Sequence, residues 1–134
     1  MRTEFPAMLK PTRIFMSLAA VLMAMAVALG AIGSHALASR VPADRLAIWN
    51  TAVEYHFFNA LGLFAVGFVC QFLPDSKWAR YSGYLLAAGI ILFSGSLYAY
   101  VLSSARWITA LAPAGGLVLI AGWVLLAAAL LRDR

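Results

Sequence analysis

Glu54, His35 and His56 are the side chains of this sequence best suited to chemistry, since each can exchange a proton or hold a cation. A carboxylate with two imidazoles is a known zinc set, but the spacing argues against one here. Glu54 and His56 are two residues apart, about 200° around a helix, so they face nearly opposite ways. One of them could meet His35, but not both at once, and no metal is expected. His56 and Asn59, three apart, share a face and form one polar seam; Asn50 and Glu54, four apart, share another. The expectation for Glu54 is an interfacial carboxylate paired with Arg40, Arg45 or a histidine. The alternative is a proton- or cation-binding group. Ser94 and Ser96 offer hydroxyls, yet a serine nucleophile needs a base within reach. No histidine or lysine is expected at their depth, so they are read as bonding backbone in their own or a neighbouring helix. Cys70 is the single cysteine, which excludes an internal disulfide and a multi-cysteine metal centre. It is expected to pack as an inert apolar side chain. Walker, dinucleotide, H-E-x-x-H and haem motifs are absent. The residues therefore point to no enzyme and no cofactor.

The elements that carry these residues are long apolar runs. Of the 134 residues, 64% are hydrophobic and only 11% are charged. Soluble domains run near half and about a quarter, and a soluble fold of this size could not bury so much apolar surface. That excludes a soluble enzyme, a disordered chain and a disulfide scaffold. A bilayer core about 30 Å thick needs roughly 20 apolar residues per helix. Residues 14–33, 52–73, 81–102 and 110–131 meet that need. Lipid leaves only helices for such runs, because each backbone group must be satisfied within its own segment. The expected fold is an all-α, integral membrane four-helix bundle forming one domain over 1–134. Its first partner is the lipid bilayer. The net charge of +5 belongs to the ends of the runs, so nucleic acid is not an expected partner.

Arg2, Lys10, Arg13, Lys77, Arg80, Arg132 and Arg134 fall on one side, against Arg40, Arg45 and Arg106 on the other. This excess predicts that both termini are cytoplasmic. Trp49, Tyr55, Tyr98, Tyr100 and Trp107 are read as the outer aromatic edge, and Trp78, Tyr81 and Tyr84 as the inner one. A helix is expected to start near Pro42, with Asp44 in its first turn. Run unbroken into the second span it would outgrow the bilayer core, so either it protrudes or, the reading favoured, residues 43–50 lie along the surface as a short amphipathic piece. Ala36-Leu37-Ala38 has the form of a cleavage site, but the preceding apolar run is longer than a usual signal peptide's, and an uncleaved first span is expected.

Small residues punctuate the spans. Gly30, Gly33, Gly89, Gly95, Gly115, Gly116 and Gly122 are candidate packing positions, since small residues let helices approach closely in lipid. They serve either the bundle itself or a second copy or partner helix, and spacing alone does not separate these.

Four segments together carry a resemblance: Gly30-Ala31-Ile32-Gly33-Ser34-His35-Ala36-Leu37, Thr51-Ala52-Val53-Glu54-Tyr55 through Leu61, Phe93-Ser94-Gly95-Ser96-Leu97-Tyr98, and Pro113-Ala114-Gly115-Gly116 through Gly122-Trp123. In order and spacing the chain resembles the small bacterial membrane proteins of the YgdD type, a domain-of-unknown-function family that includes transmembrane protein 256. The likeness covers about residues 14–131 and implies a four-helix protein of the bacterial inner membrane, with no established activity. His35, Thr51, Tyr55, Ser94, Gly95, Ser96 and Pro113 match the pattern. Asn59 stands where a histidine is expected, and Ala112 where a threonine is expected before the proline. A mechanism that needs a histidine at 59 is thereby in doubt for this chain.

Two functions follow as expectations. One is a non-enzymatic membrane module that self-associates or packs into a larger membrane complex. The other is a small transporter or proton- or ion-conducting oligomer using the region of Glu54, His35 and His56.

Overall fold

A computed structural model describes residues 6–132. Arg2 and Arg134, counted above toward the orientation, lie outside the described residues. Among the described residues, four helices are long and apolar enough to cross a membrane: α1 (Lys10–Leu37), α2 (Ala43–Phe72), α3 (Lys77–Ser103) and α4 (Arg106–Arg132). Each starts where the local chemistry allows. Pro11 sits in the first turn of α1, where a missing N–H costs nothing. Pro42 precedes α2 and Asp44 faces the positive end of its dipole. The Ser76 hydroxyl accepts the Ala79 N–H at 3.1 Å and caps α3. At the far end α3 stops on Ser104, whose φ of 61° is left-handed.

α2 is the central helix: half of its most apolar stretch is buried, against 22% for α1, 33% for α3 and 28% for α4. α1 packs mainly on α2, and α4 mainly on α3. The reason is a seam. Trp49, Ala52, His56, Asn59, Leu63, Val66 and Cys70 recur at alternating steps of three and four, and all are buried. This is the spacing that keeps one stripe facing a partner helix along a long contact. Ala112, Gly115, Leu119, Gly122, Leu126 and Ala129 form the same stripe on α4. The lower half of the α2 seam is apolar and the upper half polar.

The reading of 43–50 as a separate surface piece is corrected, because α2 is continuous from Ala43 to Phe72. Trp49 explains it. Its ring is 1% exposed, lies 4.7 Å from the Tyr98 ring, and donates its N–H to the Leu29 carbonyl at 2.8 Å. A first segment turned onto the membrane surface would lose the packing and the bond together. Trp49 and Tyr98 thus anchor the bundle by packing between helices.

Two helices carry a π turn, at Gly33–Leu37 in α1 and at Ile91–Gly95 in α3. The second inserts into the middle of its helix and shifts the register of the buried face, so that Ser94 points at α2. The segment ahead of α1 is tied to the end of α2: the Leu9 N–H donates to Gln71 Oε1 at 3.0 Å, and Gln71 Nε2 donates to the Ala7 carbonyl at 3.3 Å.

Candidate functional site

The upper half of α2 gathers polar bonds from all three other helices. Besides Trp49 to α1, Ser94 of α3 donates to the Ala52 carbonyl at 2.8 Å. The Tyr98 hydroxyl of α3 lies 3.1 Å from His56 Nδ1, and the Trp123 indole of α4 donates to Asn59 Oδ1 at 2.9 Å. Asn59 in turn donates to the Tyr55 carbonyl at 2.8 Å. Ser96 donates within its own helix to the Phe93 carbonyl at 2.8 Å. These bonds lie on apolar spans where lipid offers no alternative partner, so the network aligns the helices in register. Sequence reasoning found the His56–Asn59 seam but not Tyr98 or Trp123 as its partners. The signal was available for Trp123: an indole N–H inside an apolar span must find an acceptor.

His56 faces away from Glu54, as their spacing of two residues requires. It borders a small cavity of about 150 Å³ that is otherwise lined largely by apolar side chains of α1 and α3. His56 Nε2 is buried without a hydrogen bond. His35 is exposed at the end of α1. His35, Glu54 and His56 are not brought together, and among the described residues no cluster of three metal-ligating side chains forms.

Glu54 differs most from its expected place. It lies eleven residues into α2, about three helical turns from the start. It is exposed, and it has no ion pair or hydrogen bond among the described residues. Arg45, one expected partner, bonds the Ser104 hydroxyl instead and lies over the Tyr100 ring. Glu54 opens on a groove of about 600 Å³ between α2, α3 and α4. Tyr55, Phe58, Phe93 and Trp123 line that groove, with Asn59 at its back and Gly116 in its wall. The groove sits at mid-height. Glu54 is about 5 Å along the axis from the midpoint of α2. Phe93 is three residues from the midpoint of α3, and Ile120, also lining the groove, is one residue from that of α4.

The glycines divide. A Cβ at Gly33 would come 2.7 Å from the Trp49 ring, at Gly89 2.5 Å from Leu119, and at Gly122 2.9 Å from Leu86. At Gly115 it would overlap the backbone of Phe93. Gly62, Gly67 and Gly83, outside the expected set, are equally tight against Trp123, Met16 and Phe15. Gly30 and Gly116 leave ordinary contact distances, and a Cβ at Gly95 would meet nothing within 4 Å.

Four apolar helices, tied by polar bonds that cross between helices, define a multi-pass helical membrane protein. Known proteins supply the particular family. The model of the family described as "Protein of unknown function (DUF423)" matches residues 29–116. The UPF0382 membrane protein YwdK of Bacillus subtilis is 38% identical over 120 residues, 90% of this chain and 98% of its own length. The UPF0382 inner membrane protein YgdD of Escherichia coli is 37% identical over 106 residues, 79% of this chain and 80% of its own. A UPF0382 membrane protein of Haemophilus influenzae is 39% identical over 101 residues, 75% of this chain and 80% of its own. No solved structure matches. The chain belongs to the DUF423 family of membrane proteins, and it is a multi-pass protein of the bacterial inner membrane.

Proposed function

We propose that the chain is a non-enzymatic membrane module that works by association in the plane of the membrane, with the Glu54 groove as its working surface. One observation carries this reading: an exposed carboxylate with no partner among the described residues stands at mid-height of the bundle. An ionisable group at that depth is costly unless something pairs with it. The described groups nearest Glu54 in the groove are aromatic, apolar or amide, which suits binding and supplies no nucleophile with a base. The basic end of the bundle, with Lys10, Arg13, Lys77, Arg80 and Arg132, faces the cytoplasm in this reading.

The test is mild isolation from the native membrane followed by mass measurement of the intact assembly. The expected wild-type result is a bound second component: another copy, another protein or a small molecule. A Cβ at Gly116 meets only the Phe93 ring, at 3.8 Å, so Gly116→Leu adds its bulk at the groove wall and the component is expected to be lost. A bare monomer from wild type overturns the reading. The height of Glu54 also favours a second reading, transport by an oligomer. The bundle interior is filled by Leu63, Val66 and Leu86, each 0% exposed, so any path would run between copies. Liposome flux that Glu54→Gln abolishes without changing assembly would select this second reading.

A further inference from the structure

We infer that the groove around Glu54 is a binding site for lipid-soluble organic cations, such as hydrophobic quaternary ammonium or phosphonium compounds. This rests on the reading of the groove as the working surface, and names what fills it. The first argument is charge. Glu54 is exposed and has no counter-ion among the described residues. The chain has no lysine or arginine in residues 14–39, 46–76, 81–105 or 107–131. A second copy, in either orientation, therefore brings no basic side chain to mid-height. A counter-charge for the ionised carboxylate would therefore come from outside the chain.

The second argument is the wall. Tyr55 and Phe93 lie with ring centroids 4.7 Å apart. Phe58 is 60% exposed and Trp123 42% exposed, and both border the same space. Aromatic faces attract a cation, most strongly where water is scarce. A small metal ion would need several oxygen ligands, and the side chains lining the groove offer one carboxylate, the Tyr55 phenol and an Asn59 amide oxygen already engaged by Trp123. A neutral lipid tail would suit the rings but leave the carboxylate unpaired. A bulky cation with an apolar shell satisfies both. The open groove, with a volume of about 600 Å³, falls in the size range of sites for such a molecule. Because the groove opens sideways between helices, the ligand enters from the lipid.

The experiment uses the full chain in lipid nanodiscs and equilibrium dialysis of tetraphenylphosphonium, with protein-free nanodiscs subtracted. Triphenylphosphine oxide serves as an uncharged probe of similar shape. Wild type is expected to bind the cation saturably and to prefer it to the uncharged probe by about tenfold. Glu54→Gln, which disturbs no partner in the bundle, is expected to remove that preference while leaving the uncharged probe within about twofold. Phe58→Ala, also exposed, is expected to weaken the cation by about threefold. Binding in Glu54→Gln equal to wild type, or no preference in wild type, overturns the site. If that happens while Gly116→Leu still strips a component from the native assembly, the groove reading stands and the cation assignment falls.

Discussion

Asn59 is held between its own helix and α4, donating to the Tyr55 carbonyl at 2.8 Å and accepting from Trp123 at 2.9 Å. Asn59→Leu leaves the indole N–H without an acceptor. Bonds of this kind between membrane helices are worth about 0.6 kcal/mol on average and about 1.7 kcal/mol at most. The expected loss is about 1 kcal/mol, because the amide makes two bonds. Asn59→His keeps an acceptor at the same place and is expected to stay within about 0.5 kcal/mol of wild type. Reversible unfolding in bicelles measures both, and equal losses would refute the role given to the acceptor. His56 and Tyr98 form a second pair at 3.1 Å. A double-mutant cycle of His56→Phe and Tyr98→Phe is expected to show a coupling of about 0.5–1.5 kcal/mol. At this scale the sequence was partly legible. Helical spacing separated Glu54 from His56 and joined His56 to Asn59, because period alone sets which face a residue occupies. It did not show that Glu54 lacks a partner, since pairing depends on which helices meet and at what height.

The four spans were legible as elements, because lipid demands long apolar helices and little else has that composition. The start of α2 near Pro42, with Asp44 in its first turn, was legible too. Its unbroken run into the span was not, because a helix that outgrows the bilayer core reads as one that breaks at the surface. Trp49 overrides it by burying a large ring against α1 and α3. The glycines were legible as packing positions only in aggregate, for a small side chain does not say how near its neighbour stands. Gly115 and Gly95 separate the cases. A Cβ at Gly115 would overlap the backbone of Phe93, which cannot move aside as a side chain can, whereas one at Gly95 would meet nothing. Gly115→Ala is expected to destabilise by about 1–3 kcal/mol, the range for forcing extra volume into a packed contact. Gly95→Ala is expected to change stability by less than about 0.5 kcal/mol. Unfolding measurements on the pair decide this, and a large loss at Gly95 alone would place a partner helix against it.

For the whole molecule the governing fact is that an even number of antiparallel helices sets both termini and the α2–α3 turn at one end. Lys10, Arg13, Lys77, Arg80 and Arg132 gather there, while Arg40, Arg45 and Arg106 occupy the other. Orientation follows the excess of basic residues in short loops near span ends, and acidic residues contribute little to it. Over the full chain the excess is seven against three, and Lys77 with Arg80 provides two of the seven. A green fluorescent protein fused after Arg134 is expected to fluoresce, and an alkaline phosphatase fused there to stay inactive, since one matures in the cytoplasm and the other outside it. Changing Lys77 and Arg80 to asparagine leaves five against three and is expected to divide the population, raising phosphatase activity while lowering fluorescence. Arg80 also donates to the Pro74 carbonyl at 2.8 Å, so the two signals must change reciprocally for the effect to be orientation and not loss of fold. Phosphatase activity in the unaltered fusion would invert the bundle. It would leave the Glu54 groove at the same depth, because mid-height is unchanged when the molecule is turned over.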